Sequence, residues 1–276
     1  MKHLILTLLS TICFVISTQA QIEVDGIYYE TCSDGVKVVS GDYSGDITIP
    51  LEIKYYDGLD DKTYTYKVAA IEDNAFSRNT DITSIKIDAL IKKLDVNDCK
   101  SLKTLELPNT VEELICDHCP SLTSIPFPAN MKELPSLDGC GSITSLTIPT
   151  TITSLGNGFY GMDNLESVTI EDSEKDLEYL NVGESCLRSE SLKTLYLGRR
   201  LSKPISSNAL ETLELGKFIT SLSGVFENCP ALVSFKANGE ITKISNRTFY
   251  NGSALTTVNL PKSIKVIGES AFENCS

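Results

Sequence analysis

The densest group of chemically capable side chains in the 276-residue chain is Cys116-Asp117-His118-Cys119. Two thiols three positions apart, with an imidazole between them, are what a redox pair or half of a zinc site needs. A tetrahedral zinc needs two further ligands, and His118 is the only histidine after His3. The same thiols fall into a sequence period described below, and that period places them in a packed core, where cysteine acts as a small hydrophobe. Two acidic groups follow: Asp57, Asp60 and Asp61, then Glu171, Asp172, Glu174 and Asp176. Their oxygens suit calcium, but neither spacing is that of an EF-hand loop, and both read as solvated surface loops. Asn246-Arg247-Thr248 and Asn251-Gly252-Ser253 have the glycosylation-acceptor pattern, which has meaning only in a eukaryotic host. There is no GxSxG elbow, Walker A loop or HExxH sequence, and with one histidine beyond the opening segment the commonest general base is nearly missing. No catalytic residue, metal or cofactor is expected.

Composition points the same way. Hydrophobic residues at 41% and charged residues at 22% describe a folded chain. Lys2, the apolar run Leu4 to Ser17, and Thr18-Gln19-Ala20 form a secretory signal pattern over residues 1–20, too short for a membrane span. Cleavage after Ala20 removes Lys2 and takes the net charge from −13 to −14. A polyanion without a basic cluster repels phosphate backbones, so nucleic acid is excluded as a partner. No later stretch is long and apolar enough to span a bilayer, and a monomer is expected.

What positions these residues is a repeat. An apolar-x-x-apolar-x-apolar pattern begins at Ile82, Leu102, Leu122, Ile143, Leu165, Leu192, Leu210, Leu232 and Leu255, in steps of 20, 20, 21, 22, 27, 18, 22 and 23 residues. A second apolar pair three apart follows in most units, as in Val111 and Leu114 or Ile241 and Ile244. Six places before the next unit, Phe76, Val96, Cys116, Leu137, Phe159, Cys186, Phe226, Phe249 and Phe272 fill one slot. Cys99, Cys119, Cys140, Cys229 and Cys275 share another phase, three places before a unit's start. Cys32 fits neither. One unit reads as one turn of a coil, whose apolar edge is buried only when turns stack. Pro108, Pro128, Pro149 and Pro261 end the strand of their units.

The phrases CKSLKTLELPNTVEEL, NCPALVSF and LTTVNLPKSIKVIGESAFENC resemble the BspA-type leucine-rich repeats of bacterial surface proteins. The resemblance runs from about residue 68 to 276, and the units near Leu192 and Leu210 depart from it in lacking the proline. It implies a mainly β leucine-rich-repeat solenoid, a curved right-handed superhelix. Residues 21–67 read as a small β-rich N-terminal cap, with short strands at Val24 to Tyr29, Val36 to Val39, Asp46 to Pro50 and Tyr64 to Val68. The chain stops at Ser276, midway through a unit, so the C-terminal unit of the array 68–276 reads as incomplete.

Two outward columns are expected on the strands. Every unit carries a hydroxyl before its second apolar position: Ser84, Thr104, Ser124, Ser145, Ser167, Thr194, Thr212, Ser234 and Thr257. The simplest reading is that these residues suit the turn-to-strand site and satisfy backbone groups. Two places on, Lys86, Glu106, Pro126, Thr147, Thr169, Tyr196, Glu214, Lys236 and Asn259 vary, as a recognition surface requires, and Tyr196 is the natural anchor. Members of the resembled family act as adhesins, some for host matrix and plasma proteins such as fibronectin and fibrinogen. The expectation is therefore a secreted or cell-surface adhesin that binds an extracellular protein with its curved sheet. A carbohydrate-binding protein for nutrient capture is the alternative, weakened by the lack of Trp and kept open by 11 Tyr. A structural spacer is the third reading.

Overall fold

The protein is seen in a computed structural model that describes residues 21–156, 158–174, 179–183, 190–203, 205–222 and 226–275. The signal pattern, Cys13, Asp176 and Cys186 lie outside the described residues. Among the described residues the fold is mainly β, without helices, and so no helix is long and apolar enough to cross a membrane.

The first strands are β1 (Ile22–Val24), β2 (Ile27–Cys32), β3 (Gly35–Val38), β4 (Gly45–Ile49), β5 (Glu52–Asp57) and β6 (Lys62–Ile71). Asp25 and Gly26 turn β1 into β2 with positive φ of 52° and 77°, as a tight hairpin requires. β1, β2, β3, β6 and β5 form one sheet in that order. Sequence reading missed β5, whose Tyr55 and Tyr64 face each other across the β5–β6 hairpin. β4 leaves this sheet and pairs in parallel with β7 (Ile82–Ile87), the first strand of the repeat. Tyr43, just before β4, packs edge-on against Phe76 at 5.2 Å between ring centres.

The remaining strands are short. They are β8 (Lys93–Asp95), β9 (Thr104–Glu106), β10 (Glu113–Ile115), β11 (Ser145–Ile148), β12 (Ser167–Ile170), β13 (Thr194–Leu197), β14 (Thr212–Leu215), β15 (Ser234–Ala237), β16 (Lys243–Ile244), β17 (Thr257–Asn259) and β18 (Val266–Ile267). Strands at the same place in successive units pair in parallel, in sheets ordered β4-β7-β9 and β11-β12-β13-β14-β15-β17. The second half of the unit gives smaller ladders, β8 with β10 and β16 with β18.

The unit between β9 and β11 has no strand, and its residue at the matching position is Pro126. In the intact ladder Ser167 N and Glu171 N donate to Thr144 O and Ile148 O of the preceding unit. The residue midway, equivalent to Pro126, donates between them, and proline has no N–H to give. One residue thus splits the long sheet in two.

The core is the repeat's apolar set. The first apolar positions Ile82, Leu102, Leu122, Ile143, Leu165 and Leu210 are fully buried. So are Phe76, Val96, Cys116, Leu137, Phe159, Phe226 and Phe249 in the slot position. Each such side chain contributes about 2 kcal/mol of burial, which no single turn can collect without its neighbours. Phe249 stacks between Phe226 and Phe272 at 6.4 and 5.2 Å, extending the slot into a continuous aromatic row.

Candidate functional site

The CxxC thiols belong to this core. Cys99, Cys116, Cys119, Cys140 and Cys229 are free and buried, while Cys32 is exposed. Their phase has a geometric cause. The Sγ of Cys99, Cys119, Cys140 and Cys275 donates to the carbonyl of Phe76, Val96, Cys116 and Phe249, at 3.0, 3.1, 3.1 and 3.2 Å. Each acceptor is the slot residue of the preceding unit, so the thiol ties one unit to the last. Burial pushes the Cys99, Cys119 and Cys140 thiols up to about 11, 12 and 11, and raises Cys116 well above its ordinary value.

His118 is explained by backbone shape. Arg78, Asp98, His118, Gly139, Gly161, Asn228, Asn251 and Asn274 occupy one phase, and all have positive φ, between 56° and 73°. The amides of Arg78, Asp98, His118, Gly139, Asn228 and Asn251 reach across to the next unit, as His118 N does to Asp138 O at 2.6 Å. Asparagine, aspartate and glycine tolerate this left-handed conformation best. The three asparagines also form a side-chain ladder: Asn251 Nδ2 donates to Asn228 Oδ1, and Asn274 Nδ2 to Asn251 Oδ1, each at 2.8 Å. That engages one glycosylation acceptor. The other is engaged as well, since Asn246 Oδ1 accepts from Glu269 N at 3.1 Å and Thr248 is fully buried.

Five carboxylates of the two acidic groups are used within the protein. Asp57 Oδ1 accepts from Leu59 N at 2.9 Å, Asp61 from the Tyr56 hydroxyl at 2.6 Å, and Asp60 from the Tyr64 hydroxyl. Glu171 accepts from Thr150 N at 3.2 Å, and Asp172 from the Tyr196 hydroxyl at 2.9 Å. Among the described residues no three His, Cys, Asp or Glu side chains converge as a metal site.

The outward columns are where the structure brings candidate residues together. On the six-stranded sheet the register aligns Thr147, Thr169, Tyr196, Glu214, Lys236 and Asn259 in one row across six strands. Lys86 and Glu106 pair with each other on the separate three-stranded sheet, beside Thr48. Pro126 sits at the break between them.

Tyr196 is half-buried, and with its hydroxyl fixed by Asp172 it is a held ring instead of a mobile one. Burial and the neighbouring Asp172 push its hydroxyl up to about 12. Glu214 accepts from Asn238 at 2.7 Å and Lys236 at 2.9 Å, and these donors lower its pKa. Nothing near Tyr196 in sequence signals the Asp172 bond, which spans 24 residues.

The units lacking proline place Gly198 and Gly216 there instead. A Cβ on Gly198 would lie 2.4 Å from the backbone of Glu171 and Asp172, and one on Gly216 would lie 1.9 Å from Asp172 Oδ1. The carboxylate that holds Tyr196 lies over these glycines.

The hydroxyl column corrects one part of the sequence reading, that its side chains satisfy backbone groups. Ser145, Ser167, Thr194, Thr212, Ser234 and Thr257 are aligned in register on six adjacent strands, and among the described residues none of their hydroxyls has a hydrogen-bond partner. Hydroxyls elsewhere do back-bond: Ser121 Oγ donates to Lys100 O at 2.7 Å and Ser142 Oγ to Pro120 O at 2.6 Å. Satisfying the backbone is therefore not what the column does. The strand directs these side chains away from the sheet, out of reach of its carbonyls.

The BspA type leucine rich repeat region matches the chain in 6 copies, over residues 55–137, 96–214 and 188–276. The chain belongs to this family of leucine-rich repeat proteins. Among solved structures it is similar to a leucine-rich repeat protein from Bacteroides ovatus, at 20% identity over 92% of this chain and 80% of that one, with a TM-score of 0.41. It is also similar to the leucine-rich repeat protein TpLRR of T. pallidum, at 16% identity over 86% and 91% of the two chains, with a TM-score of 0.38. A leucine rich cell surface protein from Faecalibacterium prausnitzii is similar at 13% identity over 90% and 97%, with a TM-score of 0.33. Among curated proteins none matches the chain.

Proposed function

We propose that the protein is a secreted or cell-surface interaction scaffold, an adhesin that binds an extracellular protein through the outward face of its parallel sheets. In this reading residues 1–20 are the signal, 21–67 cap the array, and 68–276 coil as a curved right-handed solenoid. The parallel pairing of β4 with β7 and the seating of Tyr43 on Phe76 support a capping role, since they continue the first unit's ladder and core. The observation that carries the binding role is the row Thr147, Thr169, Tyr196, Glu214, Lys236 and Asn259, side by side on a regular frame. Lys86 and Glu106 extend the same surface onto the neighbouring sheet. A rigid repeat frame with changeable outward residues builds a recognition surface at little cost in core stability.

A carbohydrate ligand is the second reading, favoured by the open hydroxyl column. Biolayer interferometry of the purified protein against immobilised fibronectin and fibrinogen tests the first. Saturable binding lost on Thr147→Arg with Lys236→Glu, two exposed positions on the face, is the expected result. Binding that survives both changes places the contact elsewhere, and no binding by folded protein removes the adhesin reading for these ligands.

A further inference from the structure

We infer that the hydroxyl column is a track for an extended, uncharged, β-linked glycan that runs across the strands, about one sugar ring to each strand. This deepens the carbohydrate reading and rests on the outward face of the six-stranded sheet being a binding surface. The first ground is unused hydrogen-bonding capacity. Six hydroxyls stand in register with no partner among the described residues, and each offers one donor and two acceptor sites.

The second ground is charge. The protein carries a net −13, yet the outward residues of these six strands include only Glu214 and Lys236 as charged groups, paired at 2.9 Å. The outward residues of the strands themselves thus balance to neutral, and the charges at their margins, Asp172 on the Tyr196 hydroxyl and Glu166 paired with Lys193, include no unpaired cation to draw an acidic partner.

The third ground is the repeat distance. Parallel strands lie ~4.8 Å apart, whereas an extended peptide presents same-side groups every ~6.6 Å and falls out of step after one strand. Each ring of an extended β-1,4-linked pyranose chain advances the chain by a length close to that strand spacing, so the two stay in step. Tyr196, two residues along the strand from Thr194, adds an aromatic ring beside the middle of the track, held by Asp172.

Isothermal titration calorimetry of the purified full chain with cellobiose, cellotriose and cellohexaose tests the inference, with an α-1,6-linked glucose hexamer as the control. Cellohexaose should bind about tenfold or more tightly than cellobiose, because it spans more strands. The α-linked hexamer should bind no better than cellobiose. Thr194→Val with Thr212→Val removes two hydroxyls while keeping shape and strand preference, and should weaken cellohexaose by about tenfold. Should that pair fail to fold, Ser145→Ala with Thr257→Val at the ends of the track should shorten the length dependence. Absence of a cellohexaose signal, equal affinity for all three lengths, or full binding by the folded hydroxyl variants overturns the inference. Fibronectin binding that is lost on Thr147→Arg with Lys236→Glu, alongside silence toward cellohexaose, overturns the glycan and leaves the adhesin standing. Silence toward both ligands removes both.

Discussion

Iodoacetamide alkylation of the native protein at pH 8, followed by mass spectrometry, separates a packed CxxC from a reactive one. Only the thiolate is nucleophilic. With Cys119 pushed to about 12 from an ordinary 9.0, its thiolate population at pH 8 is about a thousandth of normal. Its side chain is also fully buried and donates to Val96 O, so access requires opening of the unit. Cys99 and Cys140, held at about 11, should be slowed about a hundredfold by ionisation alone. Cys32 is exposed and should label first, within the time an unstructured thiol takes. The contrast between Cys32 and Cys119 should therefore reach three orders of magnitude and vanish in urea. Labelling of Cys116 and Cys119 at the rate of Cys32, or stoichiometric zinc uptake that protects them, would refute the packing account and restore the metal or redox one.

Other outcomes follow from the same geometry. Gly198→Ala drives a Cβ into the backbone of residues 171 and 172 and should cost about 3 kcal/mol in urea unfolding. Gly216→Ala meets the movable Asp172 carboxylate as well as Gly198 Cα at 2.8 Å, so it should cost less and release the Tyr196 hydroxyl; equal costs would contradict the packing described. Asn251→Ala puts a residue less tolerant of the left-handed region than asparagine at φ of 62° and cuts the asparagine ladder, a loss of about 2 kcal/mol. Asn251→Gly keeps the backbone and should recover about half, and an Ala variant as stable as the Gly variant would argue against left-handed strain. Alkali should destabilise the fold through its buried thiols. Cys99, Cys119 and Cys140 titrate at about 11, 12 and 11 when folded and near 9.0 when exposed, so the unfolded chain loses its protons first. Their stabilising effect is complete below about pH 9 and is lost as pH rises from there toward 12. Replacing all three with Val should flatten that part of the pH–Tm curve, and an unchanged slope would count against thiol burial.

The repeat was legible because each unit must solve the same burial problem with the same side chains. Leu146, Val168, Leu195, Leu213 and Phe235 enter the core from one register, and the spacing alone placed Thr147 through Asn259 in a single row. The cysteine phase was legible as packing, although the thiol-to-carbonyl tie to the previous slot residue was not, since it is a contact between turns. Pro126 carried its message in its residue type, because a proline at a ladder position removes the N–H the next pairing needs. The Asp172–Tyr196 bond and the Gly198 and Gly216 contacts lay beyond reach, set by a 27-residue step whose path no local pattern describes. The open hydroxyls ran against the simpler reading for a similar reason. Whether a serine meets a carbonyl depends on the backbone that carries it: Ser142 lies in the turn before β11 and reaches Pro120 O, while Ser145 stands on the strand and points away from the sheet.

The most direct test of the proposed binding face is hydroxyl-radical footprinting of the protein with and without a saturating ligand, whether fibronectin or cellohexaose. The account predicts reduced oxidation at Tyr196 and Lys236 on the sheet, with Tyr56 and Tyr160, exposed by 57% and 59% away from it, unchanged. Protection of Tyr56 or Tyr160 with Tyr196 and Lys236 unaltered would move the ligand off the parallel sheet and contradict the account.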